Sequence, residues 1–240
     1  MTTLFISDLH LEADRPEIGE QFLAFLDDEA KDARALYILG DFFETWAGDD
    51  DPDEYYAMIK KSLRALVDGG VPVYFMHGNR DFMIGEKFAA ETGVTILPDP
   101  CPTEFYGKQV LLSHGDALCT DDVEYQQARA MTRNPEWQAA ILAKPLEERL
   151  AIAAHARAQS AARHATLDEE ITDVNTEEVR KTIGEHGVDI LLHGHTHRPA
   201  IHDVEVDDRI ARRIVLGDWY EQGSVLRWDE DGIVLSKLPR

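Results

Sequence analysis

An α/β domain interrupted once by a helical insertion is the fold class this sequence predicts. Three observations predict it. Short apolar runs alternate with amphipathic segments and end in polar clusters, the tail reverts to short alternating strands, and residues 122–170 break the rhythm with Ala-rich, helix-like sequence. A chain of 240 residues is long enough for one large domain carrying such an insertion.

The elements follow in order. "TLFI" is a strand that runs into Ser7-Asp8-Leu9-His10; the opening "MTTLFISDLHLE" has no basic leader or small-residue cleavage site and reads as a first strand. Residues 17–32 place Ile18, Phe22, Phe25 and Leu26 on one face of a helix. "ALYIL" is a second strand, leading to Gly40-Asp41. Residues 53–68 form a second amphipathic helix through Tyr56, Ile59, Leu63, Leu66 and Val67. "VPVYFM" leads to Gly78-Asn79-Arg80-Asp81, and "QVLLS" to His114-Gly115-Asp116. In the insertion, Pro135 and Pro145 divide the chain into several helices. Trp137, Ile141, Leu142 and Leu146 give it an apolar surface, for which packing on the core is the ordinary use. "VDILL" then leads to His193-Gly194-His195-Thr196-His197, and residues 200–238 read as short strands around Gly217-Asp218-Trp219.

A hydrophobic content of 44% buries an ordinary globular core, and no run reaches the ~18 to 20 apolar residues of a membrane span. The net charge of −22 argues against a nucleic-acid partner, which demands a basic surface. It also repels anionic substrates unless bound cations reverse the field locally. The charge is uneven. Residues 120–165 hold six basic and six acidic side chains, so the rest of the chain carries the whole excess. Cys101 and Cys119 make no disulfide framework and read as reduced thiols of a cytoplasmic protein.

Five strand ends supply Asp8, His10, Asp41, Asn79, His114, His195 and His197. In extended backbone, residues i and i+2 face the same way, which pairs Asp8 with His10 and His195 with His197. Carboxylate and imidazole donors without thiolate suit Mn²⁺, Fe²⁺ or Zn²⁺ in a non-structural site. Seven donors exceed one ion's needs and fit two ions sharing a carboxylate. A lone His such as His155, His186 or His202 is ordinarily a surface or structural residue, whereas His-Gly-His-Thr-His clusters imidazoles that repel when protonated.

The order D-x-H, G-D, G-N, H-G-D, H-G-H-T-H resembles the calcineurin-like metallophosphoesterases. The resemblance implies a four-layer αββα sandwich spanning residues 1–240 as one domain, with a two-metal site at the strand ends. It assigns Asp8, His10, Asp41 and His197 to one metal and Asp41, Asn79, His114 and His195 to the other. Within the superfamily, "LFISDLHL", "ALYILGDFFE", "FMHGNRDF", "HGDALCTDD", "LLHGHTHRPA" and "RRIVLGDW" are similar to the UDP-2,3-diacylglucosamine pyrophosphohydrolase family over nearly the whole chain. That family implies Mn²⁺-dependent attack of metal-activated water on the α-phosphorus. The products are UMP and 2,3-diacylglucosamine 1-phosphate of the lipid A pathway, and the enzyme is peripheral on the cytoplasmic face of the inner membrane. Asp41, Asn79 and Arg80 take catalytic roles; Asn79, Arg80, Asp122, Ser160 and His195 contact substrate; residues 122–170 form a helical lid that shelters acyl chains. Arg80 stands where much of the superfamily has a His in this turn, and a guanidinium clamps two phosphoryl oxygens but donates no proton near neutral pH. The lid departs from the family at His164, usually a small polar residue, and at Leu167, usually a Lys; Arg163 or Arg157 is the candidate replacement cation. His193 reads as structural or as support behind the ligands. One alternative is a phosphodiesterase or pyrophosphatase of the same superfamily acting on a soluble nucleotide; the other, of a different class, is a noncatalytic scaffold that kept the fold and lost its metals.

Overall fold

The computed structural model describes residues 1–164 and 171–239. Two sheets form its centre. In the first, β1 (Thr3–Ile6), β2 (Ala35–Leu39), β3 (Val73–Met76) and β4 (Thr95–Leu97) run parallel. That sheet is extended by β10 (Gly223–Asp229), antiparallel to β1, and by β11 (Gly232–Leu238) at its edge. The second sheet has the order β5 (Cys101–Phe105), β6 (Lys108–Leu112), β7 (Ile190–His193), β9 (Arg209–Val215), β8 (Ala200–Val206). Here β6, β7 and β9 are parallel, with antiparallel neighbours at both edges.

Three buried clusters separate four layers. Phe5, Leu39, Met76, Val110, Leu112, Leu192, Ile214 and Trp228 fill the space between the sheets. Outside the first sheet lie α1 (Pro16–Asp28), α2 (Glu54–Asp68) and α3 (Glu86–Thr92), whose Ile18, Phe22, Ile59, Leu63 and Phe88 are fully buried beside Ile38 and Phe75. Outside the second sheet α7 (Thr176–His186) buries Val179 and Ile183 against Leu111 and Leu191. The layering is therefore helix, sheet, sheet, helix. Local signals start the helices: Pro16 occupies the first turn of α1, and Asp53 accepts the Tyr55 N–H at 2.7 Å at the start of α2.

Residues 123–164 form three helices, α4 (Val123–Thr132), α5 (Pro135–Leu142) and α6 (Leu146–His164). Pro135 opens α5 behind an Asn134 cap, and Pro145 sits just before α6. Their apolar residues divide differently from the expectation. Ile141 packs against the helix-side core and Trp137 lies 6.2 Å from Phe82, so these two face inward. The outward apolar side chains are Val123, Met131, Leu142, Leu150 and Ile152, half of the exposed large hydrophobics among the described residues.

These helices are fastened to the core. Arg149, only 4% exposed, donates to Ala47 O at 2.6 Å and pairs with both oxygens of Asp50. From α4, Tyr125 Oη and Arg129 Nε both donate to buried Asp116 Oδ2 at 2.9 Å, and Arg133 donates to Gly78 O at 2.8 Å. The His-Gly-Asp aspartate thus anchors α4.

Candidate metal centre

The carboxyl ends of β1, β2, β3, β6 and β7 converge, where open α/β sheets place their ligands. Backbone bonds join four of the five loops in two pairs: Asp8 N–H to Gly40 O at 3.0 Å and His10 N–H to Asp41 O at 3.0 Å, and Gly194 N–H to His114 O at 2.9 Å. Two glycines permit the approach. A Cβ on Gly78 would stand 2.1 Å from Asp41 N and Oδ1, and one on Gly194 would stand 2.3 Å from Asp8 Oδ2. Asp81 closes the turn after β3. Its Oδ1 accepts the Gly78 N–H and its Oδ2 the Phe42 N–H, both at 2.7 Å, clasping the second and third loops together. Burial, with Asp41's charge adding, lifts the Asp81 carboxyl to about 6.

The side chains gather in two clusters, Asp8 with His10 and His197, and Asp41 with His114 and His195. Within each, the donor atoms lie within 4.8 Å of one another. Asp41 faces both, its Oδ2 3.9 Å from His10 Nε2 and its Oδ1 3.7 Å from His114 Nε2. Asn79 Oδ1 lies 3.0 Å from His114 Nε2. His195 and His197 do not act as a pair on one face, as extended backbone would require; they are divided between the clusters. The reason is the backbone. Asp8, His10, Asp41, His195 and His197 have φ of 55°, 52°, 49°, 67° and 55°, all in the left-handed region. For a non-glycine residue that conformation costs roughly 1–2 kcal/mol, and it concentrates where function over-determines the chain.

The donor chemistry fits divalent cations. His114 Nδ1–H donates to Leu39 O at 2.9 Å and His10 Nδ1–H to Glu44 Oε2 at 2.7 Å, which leaves each Nε2 aimed into its cluster. The field fits as well. Burial would depress His114, but Asp41, Asp116 and Asp8 outweigh it and lift the imidazole to about 9. Burial would raise Asp8, yet the hydrogen bond and charges of the surrounding imidazoles hold it well below the usual carboxylate range. His195, buried and beside His114, falls to about 4, a neutral donor. His193 belongs to neither cluster; fully buried, it donates Nδ1–H to Gly194 O at 2.8 Å, and burial pushes it down to about 3.

Beside the clusters stand two guanidinium groups. Arg80 NH1 and Arg157 NH1 lie 3.7 and 3.6 Å from the same oxygen, Glu44 Oε1. The Nε of each is buried and has no partner among the described residues. Of the expected substrate contacts on the helices, Asp122 is buried, caps α4 through Tyr125 N at 2.9 Å and pairs bidentately with Arg163 at 2.5 and 2.8 Å. Arg163 is thereby committed to Asp122 and Glu124, while Arg157 points to the centre. Ser160 is half-buried on α6. Leu167 and the side chain of His164 lie outside the described residues. Glu44, Asp81, Asp116 and the aim of Arg157 escaped the sequence reading. The three carboxylates had a signal available, since each lies inside a motif string already singled out.

The family model for calcineurin-like phosphoesterase matches residues 1–199. A protein of Stenotrophomonas maltophilia (strain K279a) named UDP-2,3-diacylglucosamine hydrolase is 55% identical, covering 100% of both chains. The chain belongs to the calcineurin-like phosphoesterases, in the UDP-2,3-diacylglucosamine hydrolase family. A member from Xanthomonas oryzae pv. oryzae (strain PXO99A) with the same name is 54% identical over 99% of each chain. Among solved structures, an archaeal phosphodiesterase shares the phosphoesterase fold with a TM-score of 0.51 at 15% identity, over 99% of this chain and 100% of that one.

Proposed function

We propose that the chain hydrolyses the diphosphate of UDP-2,3-diacylglucosamine to UMP and 2,3-diacylglucosamine 1-phosphate, the lipid A pathway reaction, at two divalent cations, Mn²⁺ by preference. The observation that carries the reading is a pair of guanidinium groups with orphaned donors beside two donor clusters sharing Asp41. Buried donors without partners are costly, and phosphoryl oxygens satisfy them. Full-length likeness to hydrolases of that name supports the substrate.

Asp8, His10, Asp41 and His197 would hold one ion, and Asp41, Asn79, His114 and His195 the other. Bound there, divalent ions lower the pKa of water from ~15.7 toward about 7 and screen phosphoryl charge. The protein's own share is positional. Arg80 and Arg157 would reach the diphosphate from two different elements, one from the turn after β3 and one from α6. Neither donates a proton, and none is required of them, because the departing phosphate monoester has its second pKa near ~6. Residues 122–170 act as the lid, with Asp122 and Ser160 on its substrate-facing side. The test compares UDP-2,3-diacylglucosamine, unacylated UDP-sugars and ADP-ribose, after chelation and again after Mn²⁺ addition. Turnover of the acylated substrate alone, lost on chelation and restored by Mn²⁺, is expected; equal turnover of the soluble nucleotides refutes the substrate.

The outward apolar side chains of α4, α5 and α6, on the neutral part of an otherwise acidic chain, support peripheral contact of the lid with the cytoplasmic face of the inner membrane. No described helix is long and apolar enough to cross a membrane. Changing Val123, Met131, Leu142, Leu150 and Ile152 together to Ser is expected to abolish co-sedimentation with anionic phospholipid vesicles. Unchanged co-sedimentation overturns the contact.

A further inference from the structure

We propose that Glu44 is a positioning residue serving both halves of the centre. Its Oε2 fixes His10 as a donor, while its Oε1 holds Arg80 and Arg157 in register for one anionic group. No other carboxylate among the described residues reaches an imidazole of the clusters and both guanidinium groups. The His10 contact is a short hydrogen bond, 2.7 Å from Nδ1. The two arginine contacts, at 3.7 and 3.6 Å, are ion pairs without a hydrogen bond. That difference divides the labour. The oxygen on His10 is fully engaged, whereas the other gathers two cations that would otherwise repel and leaves their Nε donors free to turn to an incoming acceptor.

Glu44 itself is mostly enclosed, its side chain 16% exposed. Burial would raise its carboxyl, but the His10 hydrogen bond and the charges of Arg80, His10 and Arg157 outweigh this and lower it. Because Arg157 belongs to α6 and Arg80 to the core turn, one carboxylate ties the helical segment to the metal donors. The arginine half of the inference rests on the diphosphate reading above; the His10 half does not.

The experiment uses the full chain with Glu44→Ala and Glu44→Gln. Each protein is stripped by chelation and titrated with Mn²⁺, the free ion followed by electron paramagnetic resonance. Steady-state kinetics on the acylated substrate follow at saturating Mn²⁺. Glu44→Ala is expected to weaken one of two Mn²⁺ sites by about 10- to 100-fold, the usual effect of losing a group behind a metal ligand. It should also raise KM about tenfold or more, the scale of a charge-assisted contact. In Glu44→Gln the amide oxygen still accepts from His10 Nδ1, so Mn²⁺ affinity should return to near wild type while KM stays raised. Unchanged Mn²⁺ affinity and KM in Glu44→Ala overturn the proposal, and so does a glutamine variant as weak for Mn²⁺ as the alanine one. If Glu44→Ala does not fold, the glutamine variant decides through its KM. If wild type fails on the acylated substrate, the diphosphate reading falls and the Mn²⁺ titration still judges Glu44.

Discussion

Asp41→Ala is expected to abolish turnover, lowering kcat by about four orders of magnitude or more, the scale seen when a group acting as part of a unit is removed. Asp41 is buried, and its two oxygens face different clusters, one toward His10 and one toward His114. Removing it would take a donor from both of the proposed ions at once, so the variant should also bind fewer than two Mn²⁺ per chain. Asp41 Oδ1 further accepts the Arg80 N–H at 2.8 Å, so the turn that carries Arg80 loses a fixing point. Asp41→Asn keeps the shape and is expected to fail nearly as badly, because a neutral amide cannot serve two cations. Circular dichroism and metal analysis accompany the kinetics. Turnover within tenfold of wild type in a folded Asp41→Ala would refute the shared carboxylate.

Arg80→Ala carries the second largest effect. Losing one preorganised group that meets developing charge typically costs about 10²–10³ in rate, or roughly 2.7–4 kcal/mol. Arg80 touches no imidazole of the clusters through its side chain, so Mn²⁺ stoichiometry should stay at the wild-type value while kcat/KM falls. Arg80→Lys should recover only a small part, since an ammonium lacks the planar fork that spans two oxygens. A variant with full activity, or one that loses its metals, would remove Arg80 from the place assigned to it. The two variants therefore separate the metal centre from the phosphate clamp by one measurement, the number of ions retained.

Much of this was legible in the chain because burial and periodicity speak locally. The strands before Asp8, Asp41, Asn79, His114 and His195 announced themselves as apolar runs, and Ile18, Phe22, Ile59 and Leu63 marked two helices by spacing alone. Other elements gave weak signals. Thr95–Leu97 is only three residues long, Cys101–Phe105 carries a proline on an edge strand, and Glu86–Thr92 is too short for a periodic face. The donor residues were recognisable, but their geometry was not. An i, i+2 argument assumes extended backbone, and Asp8, His10, His195 and His197 are left-handed. Nor could spacing reveal that Arg163 is taken up by Asp122 while Arg157 is not, because that choice depends on how α6 lies over the core.

The left-handed turns at five of the donors have a consequence for anyone who would transplant this centre. Copying the side chains onto a different protein would reproduce the chemistry's ingredients and lose their aim, because ordinary loops relax toward conformations that swing each donor elsewhere. A graft would have to carry whole loops, with Gly78, Gly194 and the Asp81 clasp included. By the same logic, neutral drift at these positions is restricted twice, once by the atom offered and once by the few residue types that tolerate such a turn.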